Sequence, residues 1–163
     1  MLSIAPSRRF RVSSLVLVLA VGLALLSPAP PALADEDFSG SLANGTQWIA
    51  VVPDDWNGTL LLHSHGYLPS FVPFPNPAPT INSIPAAAEL LDLGYAVAAS
   101  SYADKGWALP TAPQDQVASL QAAIEAIGTE PDMVLAYGTS MGGLVTAQLA
   151  ESAGEVIDGA MPT

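Results

Sequence analysis

The feature that most constrains the fold is a sharp change of pattern around Ser140. An uncharged run at residues 133–137 (MVLAY) ends at Gly138, and a second run at residues 144–152 (LVTAQLAES) begins a few residues later. The first run is typical of a strand buried on both faces, and the second of a helix. A strand that becomes a helix within so few residues needs glycine where backbones approach closely. We therefore predict a strand, a tight turn carrying Ser140, and a helix.

The rest of the chain alternates in the same way. Gly94 and Gly128 follow helical runs, which is typical of helix ends. Short apolar runs predict strands at residues 46–52, 59–63, 95–100, 133–137 and 156–161, the first two joined by a tight turn. Helical spacing predicts helices at residues 86–93, capped by Asn82 or Ser83, and at residues 111–127 and 144–152. This order predicts an α/β domain with a mostly parallel sheet and helices on both faces.

The first 34 residues predict a secretory signal peptide. Three arginines (Arg8, Arg9 and Arg11) precede an apolar run at residues 15–26, and Ala32-Leu33-Ala34 forms a small-residue cleavage signal. An uncleaved membrane anchor is the alternative, but the run is shorter than the roughly 20 residues that a spanning helix needs. We therefore expect a secreted protein, cleaved after Ala34, with residues 35–163 as its mature part.

The charge of this mature part excludes several partners. It keeps one basic side chain, Lys105, against all 15 acidic residues. Nucleic acids and anionic membrane surfaces are bound through clustered lysine and arginine, so we expect neither as a partner after cleavage. The chain has no cysteine, which excludes disulfides, thiol catalysis and cysteine-ligated zinc. The acidic start at residues 35–37 is expected to be a flexible N-terminus.

The turn around Ser140 fits the pattern G-x-S-x-G, with Gly138 and Gly142 as its glycines. In such a turn the serine attacks a carbonyl carbon, and backbone N–H groups stabilise the resulting oxyanion. The N–H of Met141, at the start of the helix, is one predicted donor. The second is the N–H of Tyr67, which follows the strand at residues 59–63, with Gly66 allowing the close approach.

With these residues the chain resembles the N-terminal half of a secreted α/β-hydrolase of the esterase, lipase and peptidase superfamily. The resemblance covers residues 46–163 and rests on His65-Gly66-Tyr67, on the strand and helix order, and on residues 138–143. It implies an acyl-enzyme at Ser140, no cofactor, and a small-molecule ester or peptide substrate. It also implies that His65 is a structural residue of the loop that carries Tyr67.

The same resemblance implies a triad in the order serine, acid, histidine, but no histidine follows Ser140. We therefore expect a truncated, partial α/β-hydrolase fold that lacks its C-terminal strands and is inactive alone. One alternative is that His63 or His65 serves as the base, since triads are defined by geometry. Another is a non-catalytic exported binding protein with this fold.

Aromatic residues in the predicted loops have two possible roles. They either wall an apolar substrate pocket at the carboxyl ends of the strands or form contacts at its rim: Tyr67, Phe71, Phe74, Tyr102 and Trp107. His63 and His65 are the only histidines, and with no cysteine beside them we expect no metal site. No sequence feature predicts an oligomeric state.

Overall fold

The computed structural model describes residues 35–69, 71 and 76–163. The predicted signal peptide at residues 1–34 and the predicted pocket residue Phe74 lie outside this range. The described strands are β1 Glu36–Ser41, β2 Gln47–Val52, β3 Thr59–Ser64, β4 Ala96–Ser100, β5 Met133–Gly138 and β6 Gly159–Pro162. The described helices are α1 Ala87–Asp92, α2 Ala112–Ile127 and α3 Met141–Ser152, with a short 3₁₀ turn at Ile81–Ser83. None of them is long and apolar enough to cross a membrane.

The strands form a single mixed sheet in the order β1-β2-β4-β3-β5-β6. β4, β3, β5 and β6 run parallel to one another, and β2 is antiparallel to both β1 and β4. The first two predicted strands are present as β2 and β3, but β4 lies between them. β3 takes this inner position because its run is apolar and covered on both faces, which suits a strand with parallel neighbours on both sides.

Helices pack on both faces of the sheet, which confirms the predicted architecture. On one face, Leu120 of α2 and Leu149 of α3 lie in the larger apolar core with Leu60 and Leu62 of β3. On the other face, Leu91 of α1 packs in a second cluster with residues of β2 and β4. This arrangement brings the carboxyl ends of β3, β4 and β5 to one edge of the sheet, where ligands bind in open α/β sheets.

Two expectations for the connecting segments are wrong. The acidic start is not flexible from Glu36 onward, because residues 36–41 pair along the whole of β2, from Glu36 with Val52 to Ser41 with Gln47. Phe38, which packs against the larger core, adds apolar burial to that backbone pairing. The cap of α1 is Ala86 rather than Asn82 or Ser83, since those residues belong to the preceding 3₁₀ turn.

Candidate active site

Ser140 lies at the turn between β5 and α3, as the sequence predicts. Its backbone has φ 61° and ψ −127°, outside the regions that side-chain-bearing residues normally occupy. A conformation of this kind costs of order 1–3 kcal/mol and persists only where the surroundings impose it. Ser140 is exposed, and no described residue hydrogen-bonds its hydroxyl. The fold therefore holds Ser140 in an unfavourable backbone conformation that leaves its side chain exposed.

Gly138 and Gly142 allow the turn to pack against the end of β3. A Cβ added to Gly138 would lie 2.6 Å from the carbonyl oxygen of Gly142 and 2.7 Å from that of Ser64. A Cβ added to Gly142 would overlap the Ser64 carbonyl oxygen. Any side chain at either position would force the backbones apart, so both glycines are required by close approach.

The backbone N–H groups of Met141 and Tyr67, the two predicted oxyanion donors, have no acceptor among the described residues. Met141 is the first residue of α3, and its N–H points out of the helix at the positive end of the helix dipole. The N–H of Ser140 itself is engaged, since it donates to the carbonyl oxygen of Thr163 at 3.0 Å.

The loop after β3, residues 65–67, passes close to the serine. A Cβ added to Gly66 would lie 3.9 Å from the Cβ of Ser140 and 3.7 Å from the carbonyl oxygen of Thr139. We call residues 65–67 the oxyanion loop, after the role that the sequence predicts for Tyr67. The structure thus brings together Ser140, Met141 and the oxyanion loop at one edge of the sheet.

His65 is held inside the protein by backbone carbonyl groups. Its Nδ1 lies 2.6 Å from the oxygen of Gly66, and its Nε2 lies 3.1 Å from the oxygen of Ser101. Its ring stacks on that of Tyr102, with 4.0 Å between centroids. Burial lowers the pKa of His65, and the two carbonyl groups act against that shift. Because both ring nitrogens face carbonyl oxygens, His65 supports the loop and is not oriented as a base for Ser140.

His63 is buried on the α1 side of the sheet. Its ring lies 5.0 Å from the ring of Tyr137, and its Nδ1 has no hydrogen-bond partner among the described residues. Burial, with a smaller contribution from His65, lowers the pKa of His63 to about 4. His63 is therefore neutral at pH 7, as expected for a histidine inside an apolar layer.

The acidic residues after Ser140 do not pair with either histidine. Asp158 accepts a 2.7 Å hydrogen bond from the N–H of Val134, at the start of β5 and so at the opposite end of that strand from Ser140. Glu151 and Glu155 are exposed. The described residues hold no cluster of three or more histidine, cysteine, aspartate or glutamate side chains placed to bind a metal.

The predicted aromatic residues separate into two groups. Tyr67 and Trp107 are exposed, with ring centroids 6.2 Å apart, and Leu68 pairs with Gly106 between them. Phe71 is also exposed. Tyr102 is fully buried beneath His65, so it forms no wall of an open pocket.

A cavity of about 310 Å³ adjoins the oxyanion loop. None of the described residues that line it is an acid, a lysine or an arginine, and most of the lining is apolar. Its walls come from the ends of β3 and β4, from the oxyanion loop and the residue after it, and from residues 77–83: His63, His65, Gly66, Tyr67, Leu68, Pro77, Ala78, Pro79, Ser83, Ala99, Ser100 and Ser101.

Buried polar residues that the sequence did not predict support the site. Gln116 of α2 is fully buried and donates to the oxygen of His63 at 2.8 Å and to the Ser64 hydroxyl at 2.7 Å. The hydroxyl of Ser100 donates to the other end of the Gln116 amide at 2.8 Å. The only sign of this role in the sequence was that Gln116, a polar residue, lies next to the apolar positions of α2.

No protein-family model matches the sequence, and no curated protein matches it significantly. Solved structures do match. A thermostable carboxyl esterase from Bacillus coagulans is 17% identical with a TM-score of 0.55, over 78% of this chain and 43% of its own. An arylesterase is 17% identical with a TM-score of 0.54, over 94% of this chain and 52% of its own.

A structure from a study of two prolyl endopeptidases is 18% identical with a TM-score of 0.55, over 82% of this chain and 21% of its own. The chain spans about half the length of the two esterases that it matches. Together with the mostly parallel sheet and its helices, these similarities identify the fold as part of the α/β-hydrolase fold.

Proposed function

We propose that Ser140 is the nucleophile of a serine hydrolase that cleaves ester or peptide bonds. The observation that carries this proposal is the conformation of Ser140, strained and exposed between β5 and α3. A strained serine at a strand-to-helix turn presents its hydroxyl for attack on a substrate carbonyl carbon. The similarity of the fold to esterases and to a prolyl endopeptidase supports the same chemistry.

In this proposal the Ser140 hydroxyl loses its proton to a base as its oxygen attacks the substrate carbonyl carbon. The carbonyl electrons move to the oxygen, which accepts hydrogen bonds from the N–H groups of Met141 and Tyr67. Collapse of this intermediate releases an alcohol or an amine, which takes up the proton. Water then hydrolyses the acyl group from Ser140.

The general base does not come from the described histidines. Both ring nitrogens of His65 face carbonyl oxygens, and His63 is buried against Tyr137. We therefore propose that the base and its carboxylate partner lie outside residues 35–163, and that these residues alone do not turn over substrate. The greater length of the matching esterases is consistent with this division.

The proposed substrate is a neutral small-molecule ester or peptide. The cavity beside the oxyanion loop has no acid, lysine or arginine among its described lining residues, and the mature part of the chain is strongly acidic. A negatively charged substrate would be repelled by that surface. We also propose that the protein is secreted, on the basis of residues 1–34.

The test is the hydrolysis of p-nitrophenyl butyrate and of a peptide p-nitroanilide by the protein isolated from its host. Ser140→Ala is expected to lower kcat/KM by about 10³-fold or more. Ser152→Ala, an exposed serine at the other end of α3, is the matched control and is expected to have no effect. Residues 35–163 alone are expected to match the Ser140→Ala rate.

The orientation of both histidines favours a second candidate, a non-catalytic exported binding protein. Under that candidate the protein from the host hydrolyses neither substrate, and Ser140→Ala changes nothing. Turnover that depends on Ser140 excludes it.

A further inference from the structure

Three backbone carbonyl oxygens converge on one buried side chain, Asn76. Its Nδ2 lies 3.1 Å from the oxygens of Ser101 and Tyr102 and 3.0 Å from that of Asp104. Asn76 is 2% exposed, and its Oδ1 has no partner among the described residues. The side chain therefore contributes as a donor only, because the opposite orientation would place its oxygen against three carbonyl oxygens.

The segment that Asn76 holds, residues 101–104, carries a strained residue. Tyr102 is fully buried and has φ 54°, a left-handed conformation that is unfavourable for a bulky side chain. Its carbonyl oxygen accepts from Asn76 and from the Ser101 hydroxyl, the latter at 3.0 Å. Its phenol donates to the carbonyl oxygen of His65 at 3.1 Å. These contacts fix a conformation that the residue would not adopt by itself.

The same segment fixes His65 on both sides. The carbonyl oxygen of Ser101 is shared, because the Nε2 of His65 and the Nδ2 of Asn76 both lie 3.1 Å from it. The ring of Tyr102 stacks on the imidazole. His65 is the first residue of the oxyanion loop, and its Nδ1 contacts the oxygen of the second, Gly66.

We infer that Asn76 is a positioning residue for the oxyanion loop. Its hydrogen bonds among the described residues go to residues 101–104 and not to the loop itself. It holds the Ser101 carbonyl group and the Tyr102 ring where they fix His65, and His65 in turn fixes Gly66 and the N–H of Tyr67. The meaning of this role rests on the proposed function, since it is there that the Tyr67 N–H binds the oxyanion.

The test is Asn76→Asp, which keeps the shape of the side chain and replaces its donors by an acceptor facing three carbonyl oxygens. Asn82→Asp is the matched control, because Asn82 is exposed in the same connection and the charge change is identical. The readouts are NMR order parameters of the backbone at Gly66 and Tyr67 and the ring ¹⁵N shifts of the two histidines. Neither readout requires a reaction at Ser140, so failure here and failure of the proposed function are separate results.

We expect Asn76→Asp to lower the order parameters of Gly66 and Tyr67 from about 0.85 to below about 0.6, and to shift the His65 ring signals. The His63 signals and the Asn82→Asp protein are expected to stay as in the wild type. If the aspartate variant unfolds, Asn76→Ser, which retains one donor, is measured instead with the same expectation. Unchanged Gly66, Tyr67 and His65 signals would overturn the inference, as would equal losses at His63 and throughout the sheet.

Discussion

Gly142 lies directly against the carbonyl oxygen of Ser64, with no room between them for a methyl group. The first belongs to the helix that begins after Ser140, and the second ends the strand that leads into the oxyanion loop. This contact sets how closely α3 approaches the end of β3. The geometry of the site therefore depends on the absence of a side chain at position 142.

Gly142→Ala is expected to destabilise the chain by about 2 kcal/mol, because the added methyl group pushes α3 away from β3. Gly154→Ala is the matched control, since a Cβ there meets nothing within 4 Å. The control is expected to change the free energy of unfolding by less than about 0.5 kcal/mol. Urea unfolding measures the free energy of unfolding of both variants. Equal effects of the two substitutions would show that Gly142 does not pack closely against Ser64.

His63 is expected to make the protein sensitive to acid. Its pKa is lowered to about 4 in the folded state from the ordinary value of 6.5, so the unfolded chain binds the proton more tightly. Stability is therefore complete above pH 6.5 and is lost as the pH falls toward 4. The loss from this group between pH 7 and 4.5 is about 2 kcal/mol.

His63→Leu is expected to remove that part of the pH dependence while filling the same apolar layer. Urea unfolding of both proteins at pH 7 and at pH 4.5 measures the difference. The interpretation fails if the two proteins lose equal stability between these pH values.

Gln116→Met is expected to destabilise the protein by about 3 kcal/mol. The substitution keeps the volume but leaves the carbonyl group of His63 and the hydroxyl groups of Ser64 and Ser100 without the Gln116 amide, each costing about 1–3 kcal/mol when buried and unpaired. Gln121→Met on the exposed side of the same helix is the control and is expected to be nearly neutral. Thermal unfolding compares the two, and a neutral Gln116→Met would show that this network contributes little.

Asp158→Ala is expected to cost about 1 kcal/mol of stability. It is expected to leave unchanged the proposed hydrolytic activity of the protein isolated from its host. Its carboxylate accepts the N–H of Val134, far along β5 from the serine, and so stabilises the sheet. Glu155 is also exposed in the connection between α3 and β6, and Glu155→Ala is the control. It should change neither the stability nor the activity. Loss of activity without loss of stability in Asp158→Ala would instead identify a catalytic acid.

The sequence was sufficient to predict the turn at Ser140 and the positions of β2 to β5, because short uncharged runs and glycine signals are local features. The last strand was predicted at residues 156–161, but β6 begins only at Gly159. The sequence did not predict β1, since Glu36 and Asp37 give no apolar alternation and their pairing with β2 is visible only in the sheet. Asn76 and Gln116 were missed for a similar reason. Both side chains hydrogen-bond carbonyl or hydroxyl groups of distant segments, and no spacing along the chain reveals those partners.

Covalent labelling tests whether Ser140 is the nucleophile. The protein isolated from its host is treated with a fluorophosphonate, digested and mapped by mass spectrometry. We expect one adduct, on the peptide that contains Ser140, and we expect Ser140→Ala to abolish it. An adduct on another serine such as Ser64, or no adduct at all, would contradict it.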